Sequence, residues 1–551
     1  MRPPTNGSEC GAKADAGVFL RFSGSAVAGK PRGEKINYVF DRWSRKFAID
    51  TGTGVSPQCA CRATLENPMK TPAQLINVTT PVMNPLPRST WRCGPVLLTL
   101  ALSLALLPTA RATTLLDPDP ERSTTLFGYA FASLGDVNGD AVPDYVVGAP
   151  YQDGDFVSTV MGFGYPQNVG KVFVIDGATL AVLSEMDDPE FELIQDQHFG
   201  GQLGWSLSVS ADINGDGVAD VIVGVPHHIS DPNTHGAIIN AGKALLFSGK
   251  DGTLLFTLSD PEEQEDGLCG AAVAALGDVD ADGVADFAVG VPGHDIGDEE
   301  DGLANVGTVY LFSGKTGALI RTLDDPPRGG TEAGAAFGSA LANAGDLNSD
   351  GVTDIIVGAP GEGRVHVFNG KTGGLFYTIV GPETELLTSF GAAVAGGQDF
   401  SKDEKPDIVV GAPLQSDSRG SVYVYNGTNG AFIRRLKSPV SQSFAQFGAS
   451  VYASRDLTGD KRADIIVGAP GQIVNGLLGA GQAFVFDGVK GLLTKTLTSA
   501  NPQSNAGFGK AVSSILFTRS GGVSTPVVGA PYQDSFDTIT HLQIGQIEVS
   551  Q

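Results

Sequence analysis

Residues Phe337–Pro360 read FGSALANAGDLNSDGVTDIIVGAP. Within them the loop Asp346-Leu-Asn348-Ser-Asp350-Gly351-Val352-Thr-Asp354 sets candidate oxygen donors at every second residue. A hard cation is served by that alternation. Calcium takes about six to eight oxygens: side chains at positions 1, 3, 5 and 9 and a backbone carbonyl at position 7 supply them, while a Gly at position 6 permits the sharp turn. In an EF-hand the ninth position would lead into a helix, whereas here Asp354-Ile-Ile-Val-Gly enters an apolar strand-like run.

The pattern recurs in fixed register. Loops begin at Asp136, Asp212, Asp278, Asp346, Asp399 and Asp456, and twelve residues on stands the Gly of Gly-Ala-Pro or Gly-Val-Pro: Gly148, Gly224, Gly290, Gly358, Gly411 and Gly468. Nine residues before each loop an apolar residue precedes Gly, at Phe127, Leu203, Cys269, Phe337, Phe390 and Phe447. A seventh copy at Phe508 keeps the spacing to Gly529, but its loop (Phe517, Arg519, Gly521, Val523, Thr525) has no carboxylate. The repeat is therefore a structural unit first and a metal site second.

Further strands follow each Gly-Ala-Pro. Gly170-KVFVIDG, Gly242-KALLFSG, Gly307-TVYLFSG, Gly363-RVHVFNG, Gly420-SVYVYNG and Gly481-QAFVFDG read as short strands closed by a turn, and runs such as Gly317-ALIRTLDDP read as a fourth strand. Seven units of four strands predict an all-β fold, a seven-bladed β-propeller of four-stranded antiparallel blades over residues 113–551. The last unit stops at its third strand, Gly545-QIEVSQ, while Thr113-TLLDPDP matches the fourth-strand endings at Leu258–Pro261 and Leu323–Pro326. The N-terminal strand of the mature chain is thus expected to complete blade 7 and close the ring.

The 551 residues carry a net charge of −25, unevenly spread: residues 1–112 hold 14 Lys and Arg against 6 Asp and Glu, leaving 22 against 55 for the remainder. So acidic a body disfavours nucleic acid and anionic membranes as partners. Arg88 and Arg92, the apolar run Pro95–Leu107 and Ala110-Arg-Ala112 have the make-up of a secretory signal peptide. Residues 83–112 are read as that signal, with translation starting at Met83 and residues 1–82 an upstream, disordered extension; a genuine disordered or targeting N-terminal region is the alternative. The expected location is secreted or at the cell surface. After Ala112 the one cysteine is Cys269, at a position where five other repeats have Phe, so it is expected to pack as a small hydrophobe. No later apolar run is long enough to span a membrane.

Phe-Gly, then D-x-[DN]-x-D-G-x-x-D, then [IV]-V-G-A-P resembles the FG-GAP repeat of the integrin α-subunit propeller, and the resemblance covers essentially all of residues 113–551. It implies calcium loops joining the first two strands of a blade on one face. It further implies an extracellular protein or glycan ligand on the opposite face, built from the loops after Gly-Ala-Pro. Nothing here resembles the integrin leg domains, inserted domain, membrane span or cytoplasmic tail, so pairing with a β-subunit is not implied.

Taken one at a time, the candidate calcium ligands are Asp136, Asn138, Asp140, Val142 and Asp144; Asp212, Asn214, Asp216, Val218 and Asp220; Asp278, Asp280, Asp282, Val284 and Asp286; Asp346, Asn348, Asp350, Val352 and Asp354; Asp399, Ser401, Asp403, Lys405 and Asp407; and Asp456, Thr458, Asp460, Arg462 and Asp464. Gly217, Gly283 and Gly351 satisfy position 6, whereas Ala141, Glu404 and Lys461 do not. Those three loops are expected to bind more weakly or to adopt a different turn. An Asp-rich hairpin turn that never meets metal is the plainer alternative for all six.

No Ser-His-Asp order, Gly-x-Ser-x-Gly, phosphate loop or H-E-x-x-H is present, and no catalytic residue is assigned. His198, His227, His228, His235 and His294 fall in the long loops of blades 2 and 3 beside Asp298-Glu-Glu-Asp301. They are read either as ordinary surface-loop polarity or as a recognition patch or transition-metal site. Two functions remain open at this point: a calcium-dependent binding or adhesion module, and a secreted enzyme or enzyme-accessory propeller acting on glycan or lipid. FG-GAP propellers do occur beside catalytic domains such as phospholipase D, but no residues remain here for one.

Overall fold

The computed structural model describes residues 12–14, 18–20, 38–40, 47–49 and 113–549 except 119–124, 154–156, 160–161, 165–167, 190–199, 231–236, 298–302, 327–332, 382–387, 517–523 and 534–545. The chain divides into two units, Met1–Val96 and Leu97–Gln551. In the first, the described residues are two short antiparallel pairs, Ala12–Ala14 with Val18–Leu20 and Tyr38–Phe40 with Phe47–Ile49. The signal-like run Pro95–Leu107 lies outside the described residues. Among the described residues no helix is long and apolar enough to cross a membrane.

The second unit is an all-β propeller of four-stranded antiparallel blades. Six blades take their four strands in sequence order, the first with a separate short hairpin, Val157–Thr159 with Gly162–Gly164, between its second and third strands. Blade 1 comprises Ala130–Gly135, Asp144–Ala149, Lys171–Ile175 and Val182–Met186. Blade 2 comprises Leu207–Val209, Val221–Val225, Lys243–Phe247 and Leu254–Ser259. Blade 3 comprises Ala272–Ala275, Phe287–Val291, Thr308–Phe312 and Leu319–Asp324. Blade 4 comprises Ala340–Gly345, Asp354–Ala359, Arg364–Phe368 and Leu375–Val380. Blades 5 and 6 repeat the plan from Ala393–Gln398 to Phe432–Leu436 and from Ser450–Ser454 to Leu493–Leu497.

The sequence reading expected seven blades, the last completed by the N-terminal strand of the mature chain; the structure shows six blades of this plan. From residue 512 onward the structure departs from likeness: Val512–Leu516, Ser524–Ala530 and Gln546–Val549 form a four-stranded sheet only with Thr113–Leu116, Val549 lying opposite Thr113 and Gln546 opposite Leu116. Leu115 of that N-terminal strand shares an apolar cluster with Phe127 and Phe131 of blade 1 and with Ile515 and Val527. Val512–Leu516 in turn lies against Ala130–Gly135, as the first strands of successive blades lie against one another.

Burial explains the strand order. Every residue of the second strands Asp144–Ala149, Asp354–Ala359, Asp407–Ala412 and Asp464–Ala469 is buried, as a strand covered on both faces by neighbouring blades requires. Fourth strands alternate toward solvent, as in Leu319–Asp324, and make the outer edge. The Phe-Gly and Gly-Ala-Pro motifs meet between blades. A Cβ on Gly290 would lie 2.1 Å from the carbonyl oxygen of Gly338 in the next repeat, so glycine is required by close approach of two backbones. Gly529 meets Gly128 in the same way, at 2.3 Å. The residue before each such Gly is fully buried at Phe127, Leu203, Cys269, Phe337 and Phe447. Cys269 is a free thiol packed as a small hydrophobe, and burial pushes its pKa up, away from thiolate chemistry.

Candidate metal-binding loops

All six acidic loops join the first and second strands of their blades, on the face away from the connections that follow Gly-Ala-Pro. They share one backbone form. Position 6 has positive φ whether it is glycine (92° at Gly217 and Gly283, 86° at Gly351) or not (67° at Ala141 and Glu404, 65° at Lys461). The expectation of a different turn in the non-glycine loops is therefore corrected: they take the same turn at a steric cost.

Position 4 is left-handed too, at Gly139, Gly215, Ala281, Ser349, Lys402 and Gly459. The cause is the position 1 carboxylate, which gathers the backbone N–H groups of the turn. In the second loop Gly215 and Asp216 donate to Asp212 Oδ1 at 2.7 and 3.0 Å, and Gly217 donates to Oδ2 at 2.8 Å. Asp136, Asp399 and Asp456 receive N–H donors likewise.

Position 9 does something the sequence reading did not assign. Asp144, Asp220, Asp286, Asp354, Asp407 and Asp464 are fully buried. One oxygen accepts the N–H of position 2, as from Val279 to Asp286 and Leu347 to Asp354 at 2.7 and 2.8 Å. The other accepts the N–H of the glycine two residues past the third strand, as from Gly314 to Asp286 and Gly370 to Asp354 at 3.0 and 3.1 Å. Each such carboxylate brackets the loop to the neighbouring turn of its own blade. Asp464 is the exception, since Gly488 donates instead to the carbonyl of Ala463 and Asp464 Oδ1 is left without a hydrogen bond.

Burial raises the pKa of all six, to about 6 at Asp286 and Asp464, with the backbone donors pulling the other way. At position 5 of two loops the shift is opposite: hydrogen bonds from Asn369 and Asn348 hold Asp350 below the usual carboxylate range, and one from Asn426 does so for Asp403.

The donor set suits a divalent cation best in the third loop. One carboxylate oxygen from each of Asp278, Asp280 and Asp286 lies within 4.8 Å of the others. At position 3 that loop has an acid, Asp280, where the others carry Asn138, Asn214, Asn348, Ser401 or Thr458. Nearby lysines supply counter-charge to several loops: Lys250 and Lys315 donate to the carbonyls of Asp216 and Asp282 at 2.8 Å, and Lys405 of the fifth loop reaches the carbonyl of Asp346 in the fourth at 3.1 Å.

Among the described residues, the histidines of blades 2 and 3 form no cluster of three ligands. His227 contacts Asn240 at 3.2 Å and sets its ring edge-on to Trp205. His294 Nδ1 lies 3.7 Å from Asp260 Oδ2, an ion-pair distance. Among the described residues neither these two nor His228 belongs to a group of three clustered ligand side chains, and His198, His235 and Asp298–Asp301 lie outside the described residues. The seventh loop falls there too over 517–523.

Against known families, the FG-GAP repeat matches at residues 203–238, 270–312, 337–374, 390–425 and 447–486. Integrin alpha-2 of Bos taurus is 33% identical over 186 residues, 30% of this chain and 16% of that protein. Integrin alpha-8 of Gallus gallus is 30% identical over 281 residues, 48% of this chain and 25% of that protein. The chain thus spans a quarter or less of the length of these relatives. The solved structure of Saccharomyces cerevisiae Sqt1 aligns with 79% of this chain and 97% of its own at 12% identity and a TM-score of 0.45, too low to carry an argument. The matched repeats fall in blades 2 to 6, each starting at or beside its Phe-Gly position, and with the similarity to integrin alpha chains they support an integrin-alpha-like FG-GAP propeller.

Proposed function

We propose that this chain is an extracellular, calcium-braced binding module of adhesion type, without catalytic activity, that carries its protein or glycan ligand on the face opposite the acidic loops. The observation that carries the reading is the common turn of the six loops, aligned on one face, with the Asp278, Asp280 and Asp286 oxygens close enough to share an ion. Calcium would be held there by the carboxylates of positions 1, 3, 5 and 9 and the carbonyl of position 7, and would offset the repulsion among acids crowded into nine residues. Position 9 also holds the loop in shape for it. The secretory location rests on the signal-like run before Thr113 and on the kinship with integrin alpha chains.

We infer also that the sheet containing Thr113–Leu116 is the seventh blade and closes the ring, a reading supported by the Val549–Thr113 pairing and the approach of Gly529 to Gly128. The ligand surface is then assigned to the connections that follow Pro150, Pro226 and Pro292, which are far longer than the one after Pro360. A protein and glycan array probed with the calcium-loaded and the chelated chain tests this. Capture that needs calcium supports the reading; identical capture in both states, or none at all, counts against it.

A further inference from the structure

Outside the acidic loops, one other group of described side chains brings three metal-competent ligands together, at the junction of blades 3 and 4 on the opposite face. His366 is the middle residue of the third strand of blade 4, where other blades carry Phe173, Leu245, Tyr310, Tyr423 and Phe484, and it is fully buried. Its Nε2 lies 2.9 Å from Glu362 Oε1 and 3.6 Å from Asp325 Oδ1. Asp325 is buried directly after the fourth strand of blade 3, and Glu362 sits in the short turn between the second and third strands of blade 4 with its side chain 6% exposed. One atom from each of the three lies within 4.8 Å of the others.

We propose that Asp325, Glu362 and His366 form a zinc-class divalent metal site that ties blade 3 to blade 4, separate from the calcium loops. A tetrahedral ion with bonds of about 2.0 Å spaces its ligand atoms about 3.3 Å apart, and the two distances from Nε2 bracket that value. An imidazole nitrogen with two carboxylates is a transition-metal set, whereas calcium takes oxygen throughout. The second ring nitrogen is already oriented: Nδ1 lies 3.0 Å from Thr378 Oγ1, the outer-sphere contact that presents Nε2 to a metal. Phe337 and Phe368 wall the imidazole, with ring centroids 5.6 and 6.4 Å away. Arg364 Nη1, 3.3 Å from Glu362 Oε2, pairs with the carboxylate oxygen turned away from the imidazole. Three protein donors leave a fourth position open on the face assigned to ligand.

The test titrates the full chain with Zn²⁺, and with Co²⁺ as a coloured probe, after transition metals are stripped and calcium is kept saturating. Expected is one site per chain with visible Co²⁺ bands, weakened about a hundredfold in Glu362→Gln and His366→Gln, about tenfold in Thr378→Val, and unchanged in Asp278→Asn. Because His366→Gln removes a buried ring, the wild-type imidazole ¹⁵N resonances provide a second readout: zinc must shift Nε2 of His366. Absence of uptake, uptake unaffected by Glu362→Gln, or an unmoved Nε2 resonance would overturn the site and leave His366 as a proton donor to Glu362.

Discussion

A methyl group added at Gly290 would sit 2.1 Å from the carbonyl oxygen of Gly338, with backbone rather than a flexible side chain in its way. Gly290→Ala should therefore cost about 3 kcal/mol in chemical denaturation, the upper end of an overpacked core; a loss below about 1 kcal/mol would mean the blades are not in such close contact. The loop residues make the opposite case. Glu404 holds a φ of 67°, and Gly217, Gly283 and Gly351 at the same position have no atom near their missing Cβ, so the cost at Glu404 is conformational alone. Glu404→Gly should stabilise by about 0.5–1 kcal/mol once glycine's greater unfolded entropy is subtracted, read as a shift in denaturation midpoint. The Asp260 carboxylate, with Glu262 and Asp324 beyond it, lifts the pKa of His294 above the ordinary imidazole range against the downward pull of burial. A raised pKa stabilises below the unfolded value and loses that contribution as pH rises through the folded one. Denaturation midpoints should accordingly fall more between about pH 6.5 and 8 in the wild type than in His294→Gln, and parallel profiles would refute the coupling.

Among the elements, the hairpin of first and second strands is the unit that repeats, and its bracket is the ninth carboxylate. Asp354→Ala would strand the N–H groups of Leu347 and Gly370, now bonded at 2.8 and 3.1 Å, and should cost about 3 kcal/mol in denaturant unfolding, whereas loss of a pure surface ligand would cost far less without calcium. This element also marks the limit of the sequence. Phe-Gly, the acidic loop and Gly-Ala-Pro were legible because close backbone approach and a closing turn tolerate few residue types. The second left-handed residue was not, because Gly139, Ala281, Ser349 and Lys402 share no chemistry, only a place beneath the position 1 carboxylate. Asp354 read as one more ligand because spacing cannot separate an acid facing solvent from one turned inward; the wholly buried strand it opens was the available signal. His366 escaped notice for a related reason, since its strand position reads as core and its partners come from another blade and a turn.

At the level of the whole molecule, the strand Thr113–Leu116 pairs with Gln546–Val549, and Leu115 is buried beside Phe127, Ile515 and Val527. Leu115→Ala should cost about 2–5 kcal/mol and open the composite sheet first in hydrogen exchange. An unchanged stability would place that strand outside the fold. The proposed calcium sites would act on the same scale, because ions bound in loops on one face would add their effects. With free calcium about tenfold above a site's dissociation constant, each contributes about 1.4 kcal/mol, so a full set rivals the stability of an ordinary domain. The most direct measurement is the thermal unfolding midpoint of the chain in excess chelator and across a calcium titration. The account predicts a midpoint that rises by many degrees with calcium, most of it lost in an Asp278→Asn, Asp212→Asn and Asp346→Asn triple variant; a midpoint indifferent to calcium and chelator would contradict it.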